Sequence, residues 1–418
     1  MATESTLRFG AQTDEVTSLL RIVNMGRTGG ATTRPEIGRI TGLGRGVVTQ
    51  RVDQAYEMGY LADGDYGPSS GGRAPRHVRF RSERGRLIVC ALGALHIRVG
   101  IADLEGEVVD QTHTPWEISR GPEETLEMAM KLIDELITRT PGAPIWAVTV
   151  GAPGPVDFET GRPVAPPIMP GWNGYDIRSA FEQRYDAPTW VDNDVNLLAF
   201  GELVRRAGED ANLIYVKIGS GIGAGLLSQG HVHRGANGAA GDIGHVRVRE
   251  SDALCRCGKT GCLEAVASGW ALVKQAEAAI AEGVGGQLAA QHAAGETISP
   301  EDITRAADSG DALSTTLLQQ SARVVGESIA ALVNMFNPSV IVIGGVVAGT
   351  GELYLAEVRQ RVYELSLPLA TRDLTIVNSV NDEGEPLRGG AALAREQLFE
   401  VTFPRWFAEG KPTLSRFH

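Results

Sequence analysis

Cys255, Cys257 and Cys262 fall within eight residues of one another, and His245 lies ten positions before the first of them. Thiolates and an imidazole are the ligand set that Zn²⁺ prefers in a closed, tetrahedral structural site. Gly258 and Gly261 let the backbone turn tightly enough for Cys257 and Cys262 to reach one ion. A disulfide is the competing use of such cysteines, and a reducing cytosol disfavours it. A second chemically suggestive stretch is Asp192-Asn193-Asp194, which follows the apolar Thr189-Trp190-Val191. A carboxylate there can cap a helix or accept hydrogen bonds from hydroxyl groups. A glycine-rich turn at 219–225 follows an apolar run and suits phosphate, although tight hairpins need glycine as well.

The cysteine motif, Cys255-x-Cys257-Gly258-x-x-Gly261-Cys262-x-Glu264, is preceded by Gly241-Asp242-x-Gly244-His245. Together they resemble the signature of the ROK family, which comprises repressors, open reading frames and sugar kinases, over roughly residues 87 to 400. The resemblance implies a two-lobed α/β body of the actin-like or ribonuclease-H-like, sugar-kinase type, with the ligand in the cleft between the lobes. It implies that Asp194 stands where the kinases keep their general base, and that Asn193 and the loop at Gly154 border the sugar. Asp242, matching a family Glu, and His245 and Glu264 complete the implied sugar contacts. Zinc on His245, Cys255, Cys257 and Cys262 then acts as a clamp that orients His245 and Glu264. The turn at 219–225 and Ile341-Val342-Ile343-Gly344-Gly345 match the nucleotide side of the kinases.

Two departures bear on activity. The kinases' Asp-x-Gly-Gly-Thr turn, whose carboxylate helps hold Mg²⁺, is here Ala91-Leu92-Gly93-Ala94-Leu95. Phosphoryl transfer depends on positioning and charge neutralisation, so a turn without that carboxylate, and with an apolar side chain where phosphate should sit, argues against catalysis. Ile168 also stands where hexose kinases tend to carry Asn.

The elements ahead of this body are of another kind. Val16, Leu19, Leu20 and Val23 recur at helical spacing after Thr13, a plausible N-cap, and Gly29-Gly30 ends that helix. A short helix, Arg34 to Ile40, is expected to bury Ile37 and Ile40, and after Thr41-Gly42-Leu43-Gly44 a third runs from Arg45 to about Met58. This spacing makes a helix-turn-helix. On its last helix Val48, Val52 and Ala55 face inward, while Arg45, Thr49 and Gln50 share the opposite face with Arg51 beside them, a pattern suited to base edges and phosphates. Short strands at Tyr60–Ala62 and His77–Phe80 flank a long loop containing Gly72, Arg73 and Arg76, as a wing would. Kinases of the family usually lack this arrangement, and its repressors carry it.

Charge is distributed to match. The chain has 418 residues and a net charge of −12, yet residues 1–86 hold 13 Arg, no Lys and 9 acidic residues, a surplus of four positive charges. The acidic remainder would be repelled by phosphate, so nucleic acid is expected at the N-terminal module alone. No apolar run of about 18 residues occurs, and the first residues lack the order of a signal peptide, which leads to the expectation of a cytoplasmic protein with no membrane partner.

The expected architecture is therefore a winged helix-turn-helix with linker (1–86), a first lobe (87–200, completed by a helix at about 385–400) and a second lobe with the zinc motif (201–384). The expected function is a regulator, not an enzyme. It would bind operator DNA and a monosaccharide effector, as a homodimer or dimer of dimers. An active ATP-dependent sugar kinase with an appended DNA-binding domain, or a zinc-responsive regulator, are the alternatives. Residues 401–418 carry no readable signal.

Overall fold

The computed structural model describes residues 14–66, 76–249, 251–348, 351–380 and 382–417. Thr13, Gly72 and Arg73 lie outside the described residues. Helices α1 (Asp14–Arg27), α2 (Arg34–Thr41) and α3 (Arg45–Glu57) bury Leu20, Val23, Ile37, Val48, Val52 and Ala55 in one cluster. Gly42, at φ 71°, closes α2 in a left-handed conformation that a larger side chain would strain. Ile40, expected inside, is 41% exposed, because this eight-residue helix turns only one apolar position inward. Strands β1 (Leu61–Tyr66) and β2 (Arg76–Phe80) pair antiparallel and close the module.

The body holds two five-stranded sheets. In the first, β3 (Arg86–Leu92), β4 (His96–Asp103) and β5 (Val108–Pro115) form an antiparallel run, β6 (Ile145–Ala152) joins β3 in parallel, and β9 (Thr189–Asn193) joins β6 in parallel. A small hairpin, β7 (Val156–Asp157) with β8 (Arg162–Pro163), intervenes in sequence. Helices α4 (Pro122–Arg139) and α5 (Ile177–Tyr185) cover one face with Leu126, Ile133 and Phe181. The central strands are apolar on both faces, as covered parallel strands are.

The second sheet has the order β12-β11-β10-β13-β14, from β10 (Leu213–Ile218), β11 (Ile222–Ser228), β12 (His231–Val232), β13 (Val340–Gly344) and β14 (Thr375–Asn378). Its core draws on α7 (Leu263–Ala267), α8 (Gly269–Ala281), α9 (Gln287–Ala293), α10 (Pro300–Asp308), α11 (Ala312–Phe336) and α12 (Gly351–Leu365), with the short α13 (Pro368–Thr371) beside them. Among the described residues no helix is long and apolar enough to cross a membrane.

Two helices join the sheets. α6 (Asp194–Arg205) packs on β10 and β11, α14 (Glu385–Glu396) packs on β3 and β6, and the two pack on each other. Glycine makes this contact possible: a Cβ at Gly389 would lie 1.7 Å from the Leu197 carbonyl, and one at Gly201 would lie 2.2 Å from that of Glu385. α6 begins at Asp194 because the Asn193 side chain caps it, accepting from the Val195 N–H.

The C-terminal segment, silent in the sequence, carries a structural task. Beyond α14 a π-helical stretch, Gln397–Thr402, leads into α15 (Phe403–Trp406), and the chain returns to the N-terminal module. Phe399, Phe403 and Trp406, all fully buried, stack edge-on against Phe80, Tyr60 and Trp146, with centroids 5.4–5.6 Å apart for Phe80–Phe399, Tyr60–Phe403 and Trp146–Trp406. Arg27 pairs with Glu400 at 3.2 Å, and Asn24 donates to the Phe399 carbonyl at 3.3 Å. The N-terminal module is thereby anchored to the C-terminal segment and, through it, to Trp146 of the first sheet.

Candidate functional site: a cleft, a metal cluster and an exposed helix

A cavity of about 130 Å³ lies between the two sheets. Gly154, Asn193, Asp194, Asp242, His245 and Glu264 all border it, although they come from four separate stretches of the chain. Asn193 ends β9; its amide oxygen accepts from the Val195 N–H at the start of α6, and its nitrogen donates to the Gly154 carbonyl at 2.7 Å. Much of Asn193's hydrogen-bonding capacity therefore shapes the cavity wall. Asp192, just behind, accepts from Asn196 at 2.7 Å and from Arg234 at 2.7 and 3.0 Å, which ties the loop leading to Asp242 to the first sheet.

Two residues without any motif signal also enter the cavity. Lys217 donates from β10 to the Asp194 carboxylate at 2.5 Å. Arg256 donates to the Ser220 carbonyl at 3.1 Å and to Glu264 at 3.4 Å, over the Trp270 ring. Glu264, expected as a sugar contact, uses its other oxygen to accept from the Ile222 N–H at 3.2 Å. Gly221 is required beneath it, since a Cβ there would come within 2.4 Å of that oxygen. The glycine turn that resembles a phosphate loop is thus occupied by this chain's own carboxylate and guanidinium.

The altered turn after β3 is filled as well, though not by the residue expected. Leu95 is 63% exposed and points away; the imidazole of His96 instead lies over Gly93, 2.5 Å from where a Cβ would sit. Burial, then the positive charges of Arg98 and Lys217, pull His96 down to about 4, so it is neutral near pH 7. Ala91 is buried at the end of β3 and offers nothing to a metal ion.

His245, Cys255, Cys257 and Cys262 come together, with their ligand atoms all within 4.8 Å of one another. His245 Nδ1 lies 3.7 Å from Cys255 Sγ, and the Cys257 and Cys262 sulfurs are 3.7 Å apart. A tetrahedral ion with Zn–S arms of about 2.3 Å would set its sulfurs roughly 3.8 Å apart, so the arrangement fits such an ion. Burial, followed by the neighbouring thiols, pushes Cys262 up to about 12, and a bound cation is what would favour thiolates here. Gly258 and Gly261, at φ 86° and 75°, supply the tight turns. The cluster pins the Asp242–His245 segment to the start of α7, which carries Glu264.

On the N-terminal module, Arg45, Thr49 and Gln50 are all exposed on α3, joined by Val47. Arg51 is not on this face. It is buried and donates to Glu15 at 2.6 Å and to Gln54 and Ser18, holding α3 to α1, because the i+3 step from Val48 turns it inward. Arg76 is exposed at the base of the wing and pairs with Asp63 at 2.7 Å.

A family model described as the ROK family matches residues 88–397, most of the chain. The chain belongs to the ROK family. The xylose repressor of Caldicellulosiruptor bescii is 30% identical over 377 residues, spanning 89% of this ROK chain and 93% of the repressor. A crystal structure of a ROK family transcriptional regulator homologous to the E. coli MLC protein superimposes with a TM-score of 0.79 at 26% identity, covering 92% of this chain and 97% of that one. A ROK family glucokinase from Streptomyces griseus, in complex with glucose and AMPPNP, matches with a TM-score of 0.64 at 28% identity, covering 75% of this chain and 100% of that one. The regulators thus align over nearly the whole length, whereas the kinase leaves a quarter of the chain unmatched.

Proposed function

We propose that this ROK protein is a DNA-binding transcriptional regulator, a repressor of sugar-uptake or catabolic genes, that senses a monosaccharide in a kinase-type cleft without transferring phosphate. The observation that carries the reading is the bare outer face of α3, where Arg45, Thr49 and Gln50 stand free of the body on a compact winged module. Phosphate contacts fix a module of this kind on the duplex, and base-edge contacts from the recognition helix specify sequence. Arg76, with Gly72 and Arg73, is assigned to the wing.

Loss of catalysis rests on Ala91 in place of the metal-holding carboxylate and on the occupation of both phosphate turns by His96, Arg256 and Glu264. Zinc on His245, Cys255, Cys257 and Cys262 serves structure and takes no part in chemistry. A two-fold dimer would place two such modules on paired half-sites. Sugar closes the lobes and alters the spacing of those modules, which requires it to bind one state better than the other.

The experiment is selection of operator sequences from fragmented genomic DNA by purified protein, followed by titration of candidate sugars against the selected duplex. Sequence-specific binding that a monosaccharide changes is expected, and Arg45→Ala should relax specificity by about 1–3 kcal/mol. ATP-dependent phosphorylation of any hexose or pentose, abolished by Asp194→Asn, would overturn the non-catalytic reading.

A further inference from the structure

We infer that Lys217 is the specificity-determining residue of the cleft: paired with Asp194, it forms a donor–acceptor clamp for adjacent hydroxyls of an uncharged monosaccharide. The inference rests on the sugar-sensing reading above and goes beyond it, since no motif points to Lys217.

Lys217 reaches from β10 in the second sheet to the first residue of α6, which follows β9 in the first, so the pair spans the cleft. Its ammonium donates to Asp194 Oδ2 at 2.5 Å, with the two side chains 29% and 12% exposed. Both residues border the cavity. One N–H of Lys217 and one oxygen of Asp194 are used in the pair. The ammonium's remaining N–H groups and the other carboxylate oxygen supply donors beside an acceptor, the pattern that neighbouring sugar hydroxyls match.

The charge balance of the lining sets the ligand class. Lys217 is matched by Asp194, and Arg256 by Glu264 at 3.4 Å. Asp242 lies 3.9 Å from His245 and within the field of Lys259, which does not border the cavity. Among the described residues that border the cavity, Lys217 and Arg256 are both paired, and the carboxylates of Asp194, Asp242 and Glu264 outnumber them. A sugar bearing carboxylate or phosphate would be repelled, whereas a neutral sugar exchanges hydroxyls for water at little electrostatic cost. Of the charged groups that act on the pair's neighbour His96, none borders the cavity besides the pair itself; burial, then Arg98 and Lys217, keep His96 neutral, so it adds no charge at pH 7.

The test is calorimetric titration of the full chain with a panel of neutral aldoses, including D-glucose and D-xylose, and with D-glucuronate, which has the size of glucose and adds one negative charge. The wild type should bind at least one neutral aldose and bind glucuronate tenfold or more weakly. Lys217→Met should weaken the neutral sugar by roughly tenfold to a hundredfold, since it removes one partner of a largely desolvated pair. Lys217→Arg should recover most of the loss. Asp194→Asn leaves the ammonium unpaired, so it should weaken the neutral sugar while raising glucuronate affinity relative to wild type.

That opposite response is what a merely structural role cannot produce. Equal losses for both ligands in Lys217→Met and Asp194→Asn, or wild-type binding of glucuronate as tight as that of the neutral sugar, would overturn the assignment and leave the sensor reading intact. A wild type that binds none of the panel sinks the sensor reading itself, and this proposal with it.

Discussion

Replacing Trp406 by Ala should loosen the N-terminal module from the body without unfolding either. Trp406 is fully buried, and its ring packs on Trp146 of the first sheet at 5.5 Å, on Phe403 at 4.9 Å and on Tyr60 of the module at 6.4 Å. Truncating a buried Trp to Ala costs about 3–5 kcal/mol. If half of that falls on the module's contact, the ratio of docked to undocked molecules drops by roughly ten- to seventyfold, at 1.36 kcal/mol per tenfold. Arg84 reports the change: in the docked state its guanidinium donates to the Met58 carbonyl and lies over the Tyr60 and Trp146 rings, at 5.2 and 5.8 Å. Tryptic cleavage after Arg84 under native conditions should therefore accelerate by about the same factor. Sugar should also lose its influence on operator binding, because the route from Asp194 through α6, α14 and the π-helical stretch to the module is cut at its last joint. Wild-type cleavage rates in a Trp406→Ala protein whose melting temperature has fallen would refute the reasoning.

Two further outcomes are expected. Cys257→Ser should lower bound zinc below one ion per chain, measured by elemental analysis, and weaken the sugar response together with it, because Asp242, His245 and Glu264 are held by the cluster; undiminished sugar binding in a zinc-free variant would refute the clamp. Stability should fall as pH rises from about 5 to 8. Burial, with Glu202 nearby, holds Glu385 up at about 7 from 4.5, so the folded chain keeps a proton that the unfolded chain has released, and this contribution fades as pH passes through the folded value. Glu385→Gln should flatten the dependence, read as melting temperature against pH, and an unchanged slope would count against it.

Much of the molecule was legible because its signals are local. The spacing of Cys255, Cys257 and Cys262 with two glycines encodes a candidate metal loop within a few turns of chain, and α1 follows from apolar periodicity. Arg51 and Ile40 were misplaced for one reason: on a short helix a face is assigned by its partners, and Glu15 and Ser18 on α1 attract Arg51 inward. Leu95 was misread because turn direction decides whether a side chain enters a cleft, and it is His96 that enters.

By itself the sequence determined the family, the His-Cys cluster that could hold a metal ion and the absence of a carboxylate at Ala91, since each is a matter of residue type at fixed spacing. Tertiary structure alone decided that Lys217 meets Asp194, that Glu264 and Arg256 fill the glycine turn, and that the C-terminal aromatic residues anchor the N-terminal module. These contacts join residues from 8 to more than 340 positions apart. No local pattern encodes them, because they arise only when the α6–α14 crossing brings two sheets and both chain ends together.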